Sequence, residues 1–385
     1  MRIAVIGGKL QGVEATYLAH KAGWEVVLID KDPYAPATGL CDLFCHADVS
    51  RGKEFVKELR GAQLIIPALE NSKALSSLCQ TLMQEGLPFA HDPDAYGISS
   101  SKIKSNQLFS LMGIPRPRPW PCGFPVIAKP SEASGSEGVR RISHPQEIQP
   151  LIGQSDWIIE EFLDGPSFSI EVMGLPGNYQ TLQVTDLQMD AHYDCKRVTA
   201  PSTLLPEQVK EFEEIALAIS KKLRLKGIMD VEVILHDRTL KILEIDARLP
   251  SQTPTVVYLS TGVNMVERLG ALLGQELKNS SSSPSSCIGC PRGVVYEHIQ
   301  VSQGRLEVSG EHIMVGAGPL SICSDFFGAD EAISNYRPGK SNWVATLIST
   351  GVDQEEAWQK RDHAVNEIRR HCSVNTYLDP SPVPS

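Results

Sequence analysis

The sequence predicts an α/β protein, with an N-terminal doubly wound, Rossmann-like domain followed by α+β domains. Three observations lead there. The first ninety residues alternate short apolar strands with helices, the signature of a parallel sheet covered on both faces. Beyond a proline-rich run at residues 115–125, strands and helices of a different arrangement follow, including two alternating strands around a short turn at residues 229–246. The length of 385 residues, with 42% hydrophobic and 21% charged content, suits a soluble globular chain of two or three domains.

Within the first domain, residues 1–92, RIAVIGG reads as a strand, EATYLAHKAG as a helix, EVVLID as a strand, KEFVKELRG as a helix and AQLIIPALE as a strand. The first turn, GGKLQG, has Gly7 and Gly12 at the outer glycine positions of a dinucleotide fingerprint. Lys9 stands at the middle one, where a side chain crowds a pyrophosphate. Asp30 keeps the ribose-acid position, so nicotinamide binding is weakened rather than excluded. Ligands of such sheets bind at the carboxyl ends of the strands. Glu70 and the Leu10–Gln11 turn should face that crevice and suit an amino acid, one ammonium against one carboxylate. The competing reading has Glu70 capping a helix that begins near Asn71.

A second unit, residues 93–165, opens with a helix over Lys102–Met112 that stops at Gly113, with Pro115 beyond. VIAKP is a strand, SEASGSEGV a small-residue loop, residues 145–152 helical and DWIIEEFL a strand. The third unit, residues 166–372, holds the strand SFSIEVMG, a helix over Pro206–Leu223, the alternating hairpin and the helix NMVERLGALLG. The serine-rich NSSSSPSS should be a flexible surface loop. A mixed lobe from about residue 291 ends in the helix QEEAWQKRDHAVNEIRRH, and residues 373–385 should be a disordered tail.

A net charge of −10 offers no basic field for nucleic acid. No window approaches the length of a membrane span, and no signal peptide precedes the first strand. Nine scattered cysteines suit a reducing cytoplasm. Cys287 and Cys290 form one CxxC and Cys41 and Cys45 a looser pair, short of the two tight pairs usual for structural zinc.

The chemistry concentrates in the hairpin. Alternation sends Leu243, Ile245 and Ala247 to one face and Glu244, Asp246 and Arg248 to the other. Asp230 and Glu232 share a face upstream, and antiparallel pairing brings Glu232 near Glu244 and Asp246. A solvated, salt-bridged face would also explain such acids, but the flanks are apolar. Three converging carboxylates need a cation, and oxygen ligands favour magnesium over zinc. Lys129 ends a strand before a loop whose backbone N–H groups can fold over a triphosphate. The lysine precedes the glycines, so this is no Walker A loop. Glu160 and Glu161, then the backbone of Phe162 and Leu163, offer an edge for an adenine amino group.

In this order the features resemble the ATP-grasp superfamily: a helix lysine before a GIP turn, a strand lysine before a small-residue loop, an EEFL hinge, then an acid and an ExDxR strand. The resemblance implies that the first domain is a pre-ATP-grasp domain. Lys102 and Lys129 would bind ATP phosphates, residues 160–163 adenine and ribose, and Glu232, Glu244 and Asp246 a pair of magnesium ions. Asp246 stands where many members have asparagine, and Ser167 where many have a ribose-binding acid. GGKLQG, DAYGIS, YDC, KGIMDVE, YEH and above all EIDARLPSQTPTVVY resemble, more narrowly, the 3-methylornithine–lysine ligases of pyrrolysine biosynthesis, over residues 1–370. That likeness implies substrate contacts at Leu10, Gln11, Glu70, Phe168, Ser169, Ile170, Asp230, Arg248, Ser251, Gln252, Thr253 and Glu311. It adds Lys9, Asp30, Asp48, Val49, Ser134 and Ser136 to the nucleotide site, makes Arg248 and Lys129 catalytic, and allows a homodimer. The activity implied is amide formation through an acyl phosphate, with ATP going to ADP. Alternatives are an ATP-grasp ligase for other substrates or, from the first domain alone, a nicotinamide oxidoreductase. Intact lysines and carboxylates disfavour a catalytically dead binding protein.

Overall fold

The computed structural model describes residues 1–51, 54–133, 135–277 and 292–382. The serine-rich segment and the Cys287–Cys290 pair lie outside the described residues. Strands β1 (Arg2–Ile6), β2 (Glu25–Asp30), β3 (Leu43–His46) and β4 (Leu64–Pro67) form a parallel sheet in the order β3-β2-β1-β4. The central strands are apolar throughout and buried on both faces, as a covered parallel sheet requires. Helix α1 (Leu10–Lys21) starts so close to β1 that a Cβ on Gly12 would meet the Gly7 carbonyl oxygen at 2.0 Å. The helix expected over KEFVKELRG is a single turn, α2 (Val56–Leu59), and α3 (Ser72–Glu85) completes the domain.

Helices α4 (Pro93–Ser99) and α5 (Lys102–Met112) were expected to belong with the second unit. Instead Ala95, Tyr96, Leu108 and Phe109 share a core with Val231, Ile245 and Ala247 of the hairpin. Their apolar faces find more area to bury there than the small sheet offers. That sheet, β6-β5-β7, is antiparallel and built from β5 (Val126–Pro130), β6 (Arg140–Ile142) and β7 (Trp157–Glu161), with α6 (Pro145–Ile148) on it. Val126, Ala128, Ile142, Ile148 and Leu151 give it a core of its own.

The rest is one twelve-stranded sheet rather than a catalytic unit with a separate lobe. Its strands begin with β8 (Ser167–Leu175), β9 (Asn178–Thr181), β10 (Thr185–Met189) and β11 (Cys195–Ala200). After helix α7 (Pro206–Leu223) come β12 (Gly227–His236) and β13 (Thr239–Asp246), then helices α8 (Thr253–Thr261) and α9 (Met265–Leu277). The C-terminal part contains β14 (Gly293–Ser302), β15 (Arg305–Val308), α10 (His312–Val315), β16 (Ser321–Phe326), β17 (Ala329–Ser334), β18 (Trp343–Gly351), α11 (Gln354–His371) and β19 (Thr376–Leu378). The main path runs β13-β12-β8-β10-β11-β14-β18-β17-β16.

The β12–β13 turn places Asp237 and Arg238 at φ 49° and 64°, the left-handed pair of a tight hairpin. Its register sets Glu232 opposite Glu244 and Asp230 opposite Asp246, as alternation predicts. The small sheet joins the large one through two crossings, each bonded to this hairpin: Ile242 N–H donates to Pro115 O at 2.9 Å and Leu235 N–H to Pro166 O at 3.0 Å. The first domain is held by α8 and α9, where Glu14 Oε1 accepts Thr255 N–H at 2.6 Å and Asn264 Nδ2 donates to Leu18 O at 2.7 Å. The C-terminal segment corrects the expectation of disorder. β19 pairs with β15, and Asp379 meets Lys196 Nζ at 2.6 Å and Arg197 Nη2 at 2.7 Å. Proline and serine content pointed to disorder, while the ordering comes from ion pairs to cations nearly two hundred residues away.

Candidate active site

Between the small sheet and the hairpin lies a cleft of about 310 Å³, with Lys129, Glu160, Phe162, Leu163, Ile234 and Leu243 in its walls. Lys129 is buried and pairs with Glu160 at 2.7 Å, while Asn106 Nδ2 donates to the other Glu160 oxygen at 3.2 Å. Burial pulls the lysine down, but the Glu160 and Glu244 carboxylates hold it above its ordinary value, so it stays charged. Lys102, in the first turn of α5, donates to Ala133 O at 2.7 Å and pairs with Glu244 at 3.2 Å. Two ammonium groups thus point into one cleft, beside an apolar wall. Against partial burial, Arg118 and Lys241 hold Glu161 down to about 2. Its side chain therefore ties β7 to its neighbours. Ser136 lines the cleft and donates to Tyr193 O at 2.6 Å. Ser134 lies outside the described residues.

The hairpin carboxylates crowd together. Burial, then Glu244 and Asp230, push Glu232 well above the ordinary carboxylate range. Glu244 goes the other way: against its burial, Lys102 and Lys129 hold it low. Burial lifts Asp246 to about 6, although Arg248 Nη2 lies 2.6 Å away. Burial likewise lifts Asp230 to about 7, and Ser169 donates to it. A set of oxygens that can ionise together only beside a cation fits a hard divalent ion such as magnesium. A second cluster, Asp190, Asp194 and His312, brings its ligand atoms within 4.8 Å of one another. Its oxygens already accept N–H groups from His192, Asp194, Gly310 and His312, which makes it a loop lock.

A second cleft, of about 190 Å³, opens on the same carboxylates and shares Lys102, Glu232 and Glu244 with the first. Arg248 reaches Glu70 at 3.3 Å across it. Asn71 itself caps α3 by accepting Ala74 N–H at 2.9 Å, leaving the Glu70 carboxylate to the cleft. Ser251 and Gln252 donate to one oxygen of Glu311 at 2.7 and 3.0 Å, and Thr253 completes the wall. These bonds hold Gln252 at φ 72°, a left-handed conformation that costs a non-glycine residue about 1–3 kcal/mol.

Several expected residues fall elsewhere. Phe168 and Ile170 are buried in the hydrophobic core, because strand alternation turns only Ser169 toward Asp230. Lys9, Asp30, Asp48 and Val49 line neither cleft. Asp30 accepts the N–H groups of Gly8 and Asp32, Asp48 those of Ser50, and Val49 packs in the first domain's core. Gln11 contacts the site only through Glu70, at 3.5 Å, and Leu10 packs against the core. Sequence reading missed Asn106 and Glu171. Glu171 is fully buried beside Asp230, with no hydrogen-bond partner among the described residues, and burial and Asp230 push it up to about 8. Extending the alternation from Ser169 by two residues would have found it.

Comparison with known proteins agrees with this geometry. A family model described as an ATP-grasp domain matches residues 99–252. The chain is 36% identical to the 3-methyl-D-ornithine–L-lysine ligase of Methanosarcina acetivorans, covering 93% of this chain and 95% of that protein. With the enzyme of the same name from Methanosarcina barkeri it shares 35%, covering 95% and 97%. Among solved structures, L-amino acid ligase from Bacillus licheniformis superposes with a TM-score of 0.69 at 17% identity, over 95% of this chain and 97% of that one. N5-carboxyaminoimidazole ribonucleotide synthetase from Thermotoga maritima gives 0.64 at 21%, over 95% and 98%. Both show the shared fold.

Proposed function

The chain belongs to the ATP-grasp family of 3-methyl-D-ornithine–L-lysine ligases, and from that membership we propose an enzyme that joins the carboxylate of (3R)-3-methyl-D-ornithine to the ε-amine of L-lysine in pyrrolysine biosynthesis. One observation carries the reading: the two clefts share a wall made of Lys102, Glu232 and Glu244. A nucleotide in the larger cleft therefore presents its terminal phosphate to a carboxylate in the smaller one.

In this reading the backbone of residues 160–163 takes the adenine, and Lys102 and Lys129 take the phosphates. Glu232, Glu244 and Asp246 would hold magnesium, as two ions. Bound there, magnesium neutralises phosphate charge and orients the γ-phosphoryl group. The ornithine carboxylate attacks the γ-phosphorus, the bond to ADP breaks, and an acyl phosphate forms. The lysine ε-amine then attacks the carbonyl, loses a proton and expels phosphate. Arg248, charged and next to Asp246, stabilises oxyanion charge on both transition states. The loop of residues 131–139 excludes water, which would otherwise hydrolyse the acyl phosphate. Glu70, Ser251, Gln252, Thr253 and Glu311 bind the amino acids. A cytoplasmic location accords with the free thiols of the described cysteines.

With ATP, the ornithine-type substrate and hydroxylamine, but no lysine, a hydroxamate and ADP should accumulate. AMP in place of ADP would overturn the acyl-phosphate route. With both amino acids, mass spectrometry should find the amide, and its absence would assign the chain to an ATP-grasp ligase of different substrates.

A further inference from the structure

Lys196 is buried at 2% exposure in β11, where an uncompensated ammonium is costly. Every bond its Nζ makes among the described residues goes to the C-terminal segment: Asp379 Oδ1 at 2.6 Å, the Pro380 carbonyl, and Ser381 Oγ at 3.2 Å. Arg197 Nη2 holds the other Asp379 oxygen at 2.7 Å. Neighbours on a strand ordinarily point to opposite faces, yet these two converge on one carboxylate. The register explains it. Along β10, Gln188 pairs with Arg197 and Met189 with Cys195, so Lys196 is the extra residue of a bulge, which re-aims side chains. The segment seated this way continues to Pro382, which lines the nucleotide cleft with Phe162, Leu163 and Ile234.

We propose that residues 379–382 are a wall of the nucleotide site, docked by the bulged Lys196–Arg197 pair, and that this wall strengthens ATP binding. The proposal rests on the reading of the larger cleft as the ATP site. Pro382 adds apolar surface where the base would lie. A buried cation with no other partner keeps the segment docked before nucleotide arrives, so little ordering cost falls on binding.

Two variants test it against the full chain, by calorimetric titration with Mg-ADP and by steady-state kinetics. A chain ending at Ser381 keeps every Lys196 bond and loses Pro382. Lys196→Met removes the anchor. Both should weaken Mg-ADP binding and raise the KM for ATP about fivefold, with kcat and the amino-acid KM values held, the pattern of lost uniform binding. In the shortened chain, Lys196→Met should add less than it does alone. Unchanged or tighter nucleotide binding in the shortened chain overturns the proposal. If the full chain fails to bind Mg-ADP, the ATP-site reading falls, and the proposal with it.

Discussion

Glu70 lies just past β4, at the edge where a doubly wound sheet gathers its ligands, and faces Arg248 across the smaller cleft. An ammonium entering that cleft gains a carboxylate that Arg248 alone would otherwise satisfy. Glu70→Gln should raise the KM for one amino-acid substrate several-fold and leave that for ATP nearly unchanged; steady-state kinetics with each substrate varied will check it. A shift confined to ATP would remove Glu70 from the amino-acid site. At this scale alternation was a sharp guide. It put Glu232, Glu244 and Asp246 together, and the same rule excludes Phe168 and Ile170 from the cleft and admits Glu171. Asp30 and Asp48 illustrate what stays hidden. A carboxylate at a ligand-binding position looks the same in sequence whether it meets a ribose or the N–H groups of its own loop.

The turn between β10 and β11 ties three parts of the site together. Asp190 accepts Gly310 N–H at 2.9 Å, Asp194 accepts His312 Nδ1 at 2.6 Å, and the carbonyl of Tyr193 accepts Ser136 Oγ. Glu311 is thus clamped on both sides where Ser251 and Gln252 reach it. Gly310 is pressed onto Asp194 so closely that a Cβ would meet its Oδ2 at 2.2 Å. Gly310→Ala should displace Glu311, raise the amino-acid KM at least several-fold and move the KM for ATP little; unchanged amino-acid kinetics would show the clamp to be idle. Helix ends were legible here because caps are local: Ser101, Gly113 and Asp353 stand where the pattern predicts a start or stop. The bulge at Lys196 was not, since it depends on which strand lies alongside.

The first domain meets the large sheet through α1 and α8, and Glu14 sits in that seam, fully buried. Burial raises its carboxyl from 4.5 to about 7, even though Thr255 N–H favours the charged form. The folded protein therefore holds a proton that the unfolded chain gives up as pH rises above 4.5, and stability falls until pH passes about 7. Glu14→Gln keeps the acceptor and removes the titration. Its Tm should match the wild type near about pH 5 and exceed it near about pH 8, followed by calorimetry across that range. A gap independent of pH would place the proton elsewhere. Domain order and the doubly wound start were readable from strand and helix alternation. The twelve-stranded continuity of the remainder was not, because a sheet joins segments far apart in the chain.

The two crossings into the small sheet both hydrogen-bond to the hairpin that carries the carboxylates, at Ile242 and at Leu235. A pivot fixed there leaves the flap one angular degree of freedom measured against the acids themselves. Lys129 travels on the moving side, and Glu232, Glu244 and Asp246 stay in the fixed frame. With a core of its own, the flap can swing as a lever without repacking anything behind it. Alignment of phosphate ligands and metal ligands then reduces to a single hinge angle, and the loop tip at residues 131–139, farthest from the pivot, sweeps the longest arc over the cleft.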